Sequence, residues 1–165
     1  MALEARRGDI TKLEVDAIVN AANNALARGG GVCGAIFAAA GRELDAACAA
    51  IGHCATGDAV VTDGFDLPAR WIVHTVGPVW HGGNHGEAEL LASCYRRSIE
   101  VAREVGARTI AFPAISTGIY GYPRRDAAEI AVRTLRACAA DLDLVLLVAF
   151  DEPTSRDYEE LLESS

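Results

Sequence analysis

Asn23, Asn24 and Cys33 stand around three consecutive glycines, Gly29, Gly30 and Gly31, in the stretch "NAANNALARGGGVCGAIFAAAG" (20–41). Side-chain amides hold hydroxyls or a water by hydrogen bonds. A thiol is a nucleophile or base once ionised. Glycines let a ligand approach the backbone closely. A helix starting near Val32 would aim its first N–H groups at that space and cradle an anion such as a phosphate. The plain alternative is a flexible glycine loop, and this stretch by itself does not separate the two.

A second stretch, "PAISTGIYGYP" (113–123), has the same character. Ser116, Thr117, Gly118, Ile119, Tyr120 and Gly121 offer hydroxyls and backbone donors within one turn. Two glycine-rich strand-to-helix loops in one small chain favour a pinched diphosphate over a single phosphate. Neither is a GxxxxGK[ST] phosphate loop, and neither is a GxGxxG dinucleotide fingerprint. A third stretch, "GDITKLEVDAIV" (8–19), puts Asp9 in a turn. Asp there is usually solvated or caps a helix, and it can also accept from an exocyclic amine.

Such loops need strands and helices to position them. Strands are expected at 16–21, 59–64, 71–76, 109–114 and 144–150, with a short edge strand at 3–7. The near-continuous apolar run at 144–150 suits a strand covered on both faces. Helices are expected at 32–40 leading into 42–51, at 86–105, and at 123–140 with Pro123 near the first turn. A short acidic helix follows at 154–163, with Thr154 or Ser155 as its N-cap. Alternating β and α units imply a three-layer α/β sandwich, with ligands beyond the carboxyl ends of the strands.

Composition bounds the rest. The chain has 165 residues, 51% hydrophobic, which suits one domain over 1–165 with a sizeable core. No apolar run reaches the roughly 18 residues of a membrane span, and "MALEARRGDI" lacks a signal-peptide core. Cys33, Cys48, Cys54, Cys94 and Cys138 are odd in number and show no zinc-ligand spacing. They point to neither a disulfide framework nor a metal, and a reducing cytoplasm is the simplest setting. A net charge of −8 disfavours a nucleic-acid groove. A small anion can still be held by backbone amides.

The motifs "GDIT", "VDAIVNAAN", "GGGVxGAI", "HTVGPVW", "PAISTGIYGYP" and "FDE" occur in the order of a macrodomain. The chain resembles the MacroD-type ADP-ribosyl hydrolases and O-acetyl-ADP-ribose deacetylases over nearly all its length. The resemblance implies a three-layer α/β/α fold around a mixed, mostly parallel sheet of six strands, or seven. It implies an ADP-ribose cleft and mono-ADP-ribosylated proteins as partners, with no metal or cofactor. By position, Asp9 would bind the adenine amine and Ile10 would line its pocket. Phe150 would stack on the adenine; otherwise it is a core residue ending a buried strand. Residues 116–121 would wrap the diphosphate, with Tyr120 beside the distal ribose. Gly30, Gly31 and Val32 would close the other side. Asn23 would hold the distal ribose and place the attacking water.

The chain departs from that pattern twice. MacroD-type enzymes usually carry Asp after "GGGV" and His after "GAI"; here stand Cys33 and Phe37. General-base catalysis is typically worth about 10²–10⁴-fold, so loss of the acid reduces activity without abolishing it. A diphosphate oxygen can take the water's proton instead, or Cys33 can act as a thiolate base or nucleophile. With no His beside it in sequence, Cys33 reads better as a small wall residue. The rival function is a module that reads ADP-ribose without cutting it.

Other residues invite simpler readings. His53 and Cys54 lack further spaced ligands and suit an ordinary loop. His74, inside "WIVHTV", suits a hydrogen-bonded core histidine. Trp80, His81 and His85 lie in a glycine-rich loop that is either mobile or able to close over a modified protein. Arg124 and Arg125 suit a solvated helix start, and Glu152, Asp157, Glu159 and Glu160 an exposed acidic face.

Overall fold

The computed structural model describes residues 1–164. Six strands, β1 (Ala2–Arg7), β2 (Ala17–Ala21), β3 (Ala59–Asp63), β4 (Trp71–Thr75), β5 (Thr109–Phe112) and β6 (Leu144–Ala149), form one sheet in the order β1-β6-β5-β2-β4-β3. Every neighbouring pair is parallel except β3 with β4, so the sheet is mixed and mostly parallel. Five helices cover it: α1 (Gly31–Ala40), α2 (Arg42–Ile51), α3 (Glu87–Glu104), α4 (Arg124–Cys138) and α5 (Glu152–Glu163).

Side-chain alternation along the central strands builds two cores. Val145, Leu147 and Ala149 of β6 pack on one face with α3, α4 and α5. Leu146 and Val148 pack on the other with α1 and α2. That two-sided burial is why the run is continuously apolar rather than alternating. Leu146 is fully enclosed, and truncating such a side chain to Ala costs about 2–5 kcal/mol. Among the described residues, no helix is long and apolar enough to cross a membrane.

Three local expectations need correction. Helix α5 starts at Glu152, and its cap is Asp151, whose carboxylate accepts from the Thr154 amide at 2.9 Å. Thr154 and Ser155 therefore lie inside the helix, not at its cap, and Pro153 sits in the first turn where its missing N–H leaves no bond unmade. Strand β5 ends at Phe112, because Pro113 cannot donate to the ladder. The acidic face of α5 is interrupted at Asp157, which is buried and bonded by Arg124 Nε at 2.6 Å and Arg125 Nη1 at 3.3 Å. These arginines tie α4 to α5 rather than simply solvating a helix start.

Candidate functional site

The carboxyl ends of β1, β2, β5 and β6 open on one cleft of about 1030 Å³. The sheet order places the β1 and β6 ends together, β5 beside them, and β2 beyond. The lining follows that order. Asp9 and Ile10 come from the β1 end, Phe150 from the β6 end, residues 113–120 from the β5 end, and Asn23 and Gly29–Cys33 from the β2 end. Gly121 does not line the cleft. It stands behind the turn with φ 73°, and its amide donates to the Gly118 carbonyl at 3.0 Å.

Asp9 is a fixed acceptor. It caps the short 3-10 turn Ile10–Lys12, and its Oδ1 accepts from the Thr11 hydroxyl at 2.6 Å and the Thr11 amide at 2.9 Å. The hydroxyl first, then the amide, hold its carboxyl below the usual range. Asp9 is therefore ionised at neutral pH, and Oδ2 has no partner among the described residues.

Phe150 leaves the sheet. The strand ends one residue earlier and the ring is 93% exposed at the cleft mouth, which rules out the core-residue reading. Ile119, on the facing loop, is 94% exposed. A pair of bare apolar side chains flanking a concave site suits a flat ligand better than a solvated surface does.

Helix α1 begins in the cleft. Its N-cap is Gly30, no side chain caps it, and its first turn carries no acid. Gly31 and Val32 line the cleft, so the helix's unpartnered N–H groups and positive end are available to an anion there. The facing loop is set by a close approach. A Cβ on Gly77 would lie 2.1 Å from Ser116 Oγ and 2.7 Å from Ile115 Cγ2, so only glycine lets the loop settle against the end of β4. Ser116 takes φ 67°, and its buried hydroxyl has no partner among the described residues. Left-handed backbone at a non-glycine residue costs energy and tends to persist where a site requires it. Sequence reasoning missed Gly77; its place directly after the β4 run was the available signal.

Asn23 is clamped by one neighbour. Its Oδ1 accepts from the Ala27 amide at 3.0 Å, and its Nδ2 donates to the Ala27 carbonyl at 2.9 Å. One N–H and one lone pair remain free. Cys33 Sγ donates to the same carbonyl at 3.8 Å and accepts from Asn20 Nδ2 at 3.7 Å. Asn20 also donates to His74 Nδ1 at 3.1 Å, so Nε2 carries the proton toward Thr62 Oγ1 at 2.9 Å. Burial pushes His74 down to about 4, which keeps the ring neutral. His74 is thus a hydrogen-bonded core histidine, and the Asn20 amide separates it from the Cys33 thiol. Cys33 is buried in the cleft wall, and among the described residues its thiol has only the Asn20 amide and the Ala27 carbonyl as partners.

The remaining candidates lie elsewhere. Phe37 is buried in the core with the Arg28 guanidinium 5.6 Å from its ring, away from the cleft lining. His53 is exposed, and burial pushes the Cys54 thiol up to about 11. No cluster of His, Cys, Asp and Glu among the described residues is placed to hold a metal. Trp80, His81 and His85 do not line the cleft.

Comparison with known proteins adds independent findings. Residues 19–131 match the Macro domain family. A Macro domain-containing protein of Chlorobaculum tepidum is 56% identical over 163 residues, spanning 97% of this chain and 95% of that protein. A Klebsiella pneumoniae protein named O-acetyl-ADP-ribose deacetylase is 56% identical over 164 residues, spanning 95% of this chain and 94% of its own. The Oceanobacillus iheyensis macrodomain with ADP superposes with a TM-score of 0.91 at 44% identity, over 95% of this chain and 87% of that one. The Trypanosoma brucei macrodomain in complex with ADP-ribose gives 0.89 at 40% identity, over 97% and 68%.

Proposed function

The chain belongs to the Macro domain family, and from that premise we propose that its cleft binds ADP-ribose and hydrolyses the bond between the distal ribose and an Asp or Glu side chain of a modified protein. O-acetyl-ADP-ribose is the second substrate. The observation that carries the reading is the pairing of two amide-rich walls, the uncapped start of α1 and the loop 116–120, across a cleft that ends at a clamped Asn23.

Each candidate residue has a physical role. Asp9 Oδ2 accepts from the adenine amine, Ile10 packs beside the base and Phe150 stacks on it. Amides of Gly31 and Val32 on one side, and of Ser116, Thr117, Gly118, Ile119 and Tyr120 on the other, hold the diphosphate. Gly30 leaves room for its close approach, and Gly121 completes the turn behind it. Tyr120 flanks the distal ribose, and the free N–H and lone pair of Asn23 orient a water.

Chemistry at that end runs without a carboxylate. The lining acids, Asp9 and Asp151, belong to the β1 and β6 ends, while Cys33 stands near Asn23. Water oxygen attacks the anomeric carbon, the bond to the Asp or Glu oxygen breaks, and the pair of electrons leaves with that carboxylate. A diphosphate oxygen takes the water's proton. The leaving group is stable as an anion because carboxylates ionise near pH 4, so no general acid is needed. This supports an acyl linkage over one to Ser or Arg. Positioning supplies the rate that a base would otherwise add.

The test is release of ADP-ribose from an Asp/Glu-modified protein. Wild type is expected to release it and Asn23→Ala is not, with both binding ADP-ribose in calorimetry. No release by wild type above the Asn23→Ala variant and a protein-free blank, with ADP-ribose still bound, would sink the hydrolase. The second reading, a module that holds ADP-ribose without cutting it, is favoured by the thiol at position 33 and is what that outcome would leave.

A further inference from the structure

Glu87, the first residue of α3, is 1% exposed although it is an acid in a glycine-rich surface stretch. Both carboxylate oxygens are occupied by backbone. Oε2 accepts from the amides of His81 at 2.9 Å and Gly83 at 3.0 Å, and Oε1 from the amide of His85 at 2.6 Å. The loop 81–85 is therefore wound around a carboxylate supplied by the chain itself, an anion nest filled from within.

The loop starts at Trp80, and Trp80 contacts Tyr120 and Tyr122 from behind the cleft wall. Its ring lies on Gly83: a Cβ there would sit 2.8 Å from the indole. The same ring packs against Tyr122 with centroids 4.6 Å apart. The Trp80 amide donates to the Tyr120 carbonyl at 2.8 Å, and the Tyr122 amide donates to the Ser116 carbonyl at 2.9 Å. Trp80 thus braces the far end of the loop that faces α1 across the cleft, although neither Trp80 nor Glu87 lines the cleft.

We propose that Glu87 is a positioning residue for the diphosphate wall: it orders 81–85, which fixes Trp80, which fixes Tyr120 and Tyr122. This rests on the ADP-ribose reading for its ligand and on the ligand-free geometry for its mechanism. The connection is a run of packed and hydrogen-bonded groups rather than a direct contact with ligand. Gln at this position is the informative change. It keeps the size of Glu but presents one NH₂ to amides that are themselves donors, so at least one N–H loses its partner.

Two measurements on Glu87→Gln decide it. Amide hydrogen exchange without ligand is expected to speed up at 81–85 and at Trp80 and Tyr122, with β2 and β6 unchanged. ADP-ribose affinity is expected to fall roughly tenfold, the scale of coupling through a packed network, while adenosine, which lacks the diphosphate, changes less than about twofold in the same framework. Gly83→Ala, strained at φ 94° and with its Cβ against the Trp80 ring, disturbs the same loop and Trp80 while keeping the Glu87 side chain and is expected to give the same pattern, so a failure of Glu87→Gln to fold does not end the test. Faster exchange confined to 81–85 with unchanged ADP-ribose affinity would overturn the proposal. Equal losses of adenosine and ADP-ribose, with loosening of the whole sheet, would overturn it too. Absence of ADP-ribose binding by wild type would instead sink the functional reading, and exchange at Trp80 and Tyr122 would still decide the brace.

Discussion

Asn23 and Cys33 meet at one acceptor: the Ala27 carbonyl oxygen receives the Asn23 amide at 2.9 Å and the Cys33 thiol at 3.8 Å. Both also lie close to the place that a Cβ on Gly29 would occupy, Sγ at 3.5 Å and Nδ2 at 3.6 Å. The thiol therefore helps hold the backbone that holds Asn23. On the proposed reaction, its expected contribution to turnover is support for that geometry, not proton transfer. Cys33→Ala is expected to leave turnover within about twofold, since lost hydrogen bonds of this kind are worth about 0.5–1.5 kcal/mol in stability rather than in the chemical step. Cys33→Asp is expected to raise it, up to about 10²-fold, by adding a base beside the positioned water. Single-turnover release from a modified protein checks both, and a large loss in Cys33→Ala would restore the thiolate base.

Phe150 is expected to contribute to binding without contributing to the fold. At 93% exposure its removal is expected to change stability by no more than about 0.5 kcal/mol. A base stacked on an aromatic ring is worth about 1–3 kcal/mol. Phe150→Ala should weaken ADP-ribose accordingly while leaving the urea midpoint in place. A matched loss of stability would show that the ring packs on the protein itself.

Gly77 separates wall geometry from wall chemistry. Alanine there drives a methyl group into Ser116 Oγ and Ile115 Cγ2, at 2.1 and 2.7 Å. Overpacking of this kind costs about 1–3 kcal/mol. Because the clash falls on the loop 113–120, ADP-ribose affinity should drop by more than adenosine affinity. Calorimetry with both ligands checks this, and unchanged ADP-ribose binding would mean the loop relaxes freely.

His74 gives the stability a slope in acid. In the unfolded chain the ring titrates near 6.5, and in the fold burial holds it down to about 4. Between those values the unfolded chain binds more protons, so stability is fully present above 6.5 and is lost as pH falls. Going from pH 7 to 5 is expected to remove about 2 kcal/mol through this group. Urea midpoints at the two values measure it. His74→Gln should flatten that difference whatever its own baseline; a slope that survives would place the protons elsewhere.

Much of this was legible in the chain. The two-sided burial of β6 shows as a continuous apolar run, and the strand-to-helix order specifies the layers. The rest depends on partners distant in sequence. Asp157 looks like any helix-surface acid until Arg124 and Arg125 arrive from α4. Phe150 continues an apolar run, and only the end of the ladder at Ala149 turns it outward. The cap Asp151 hides because Thr154 and Ser155 are equally good capping types. Glu87 carries the quietest signal, one acid closing a glycine-rich stretch whose amides had no other acceptor.

The sheet order also dictates a sequence of events in time. Strand β1 has a single ladder partner, β6, and Ala2 waits for Leu144 across nearly the whole chain. Such a long closure is slow relative to the local pairing of β3 with β4. Asp9, which follows β1, is therefore expected to reach its place late, whereas Phe150 follows β6, which has β5 as a ladder partner much nearer in sequence. On the proposed reading, a chain that has not yet placed β1 owns both glycine walls and still lacks Asp9 for the adenine amine, so tight nucleotide binding is expected only after that last strand has docked.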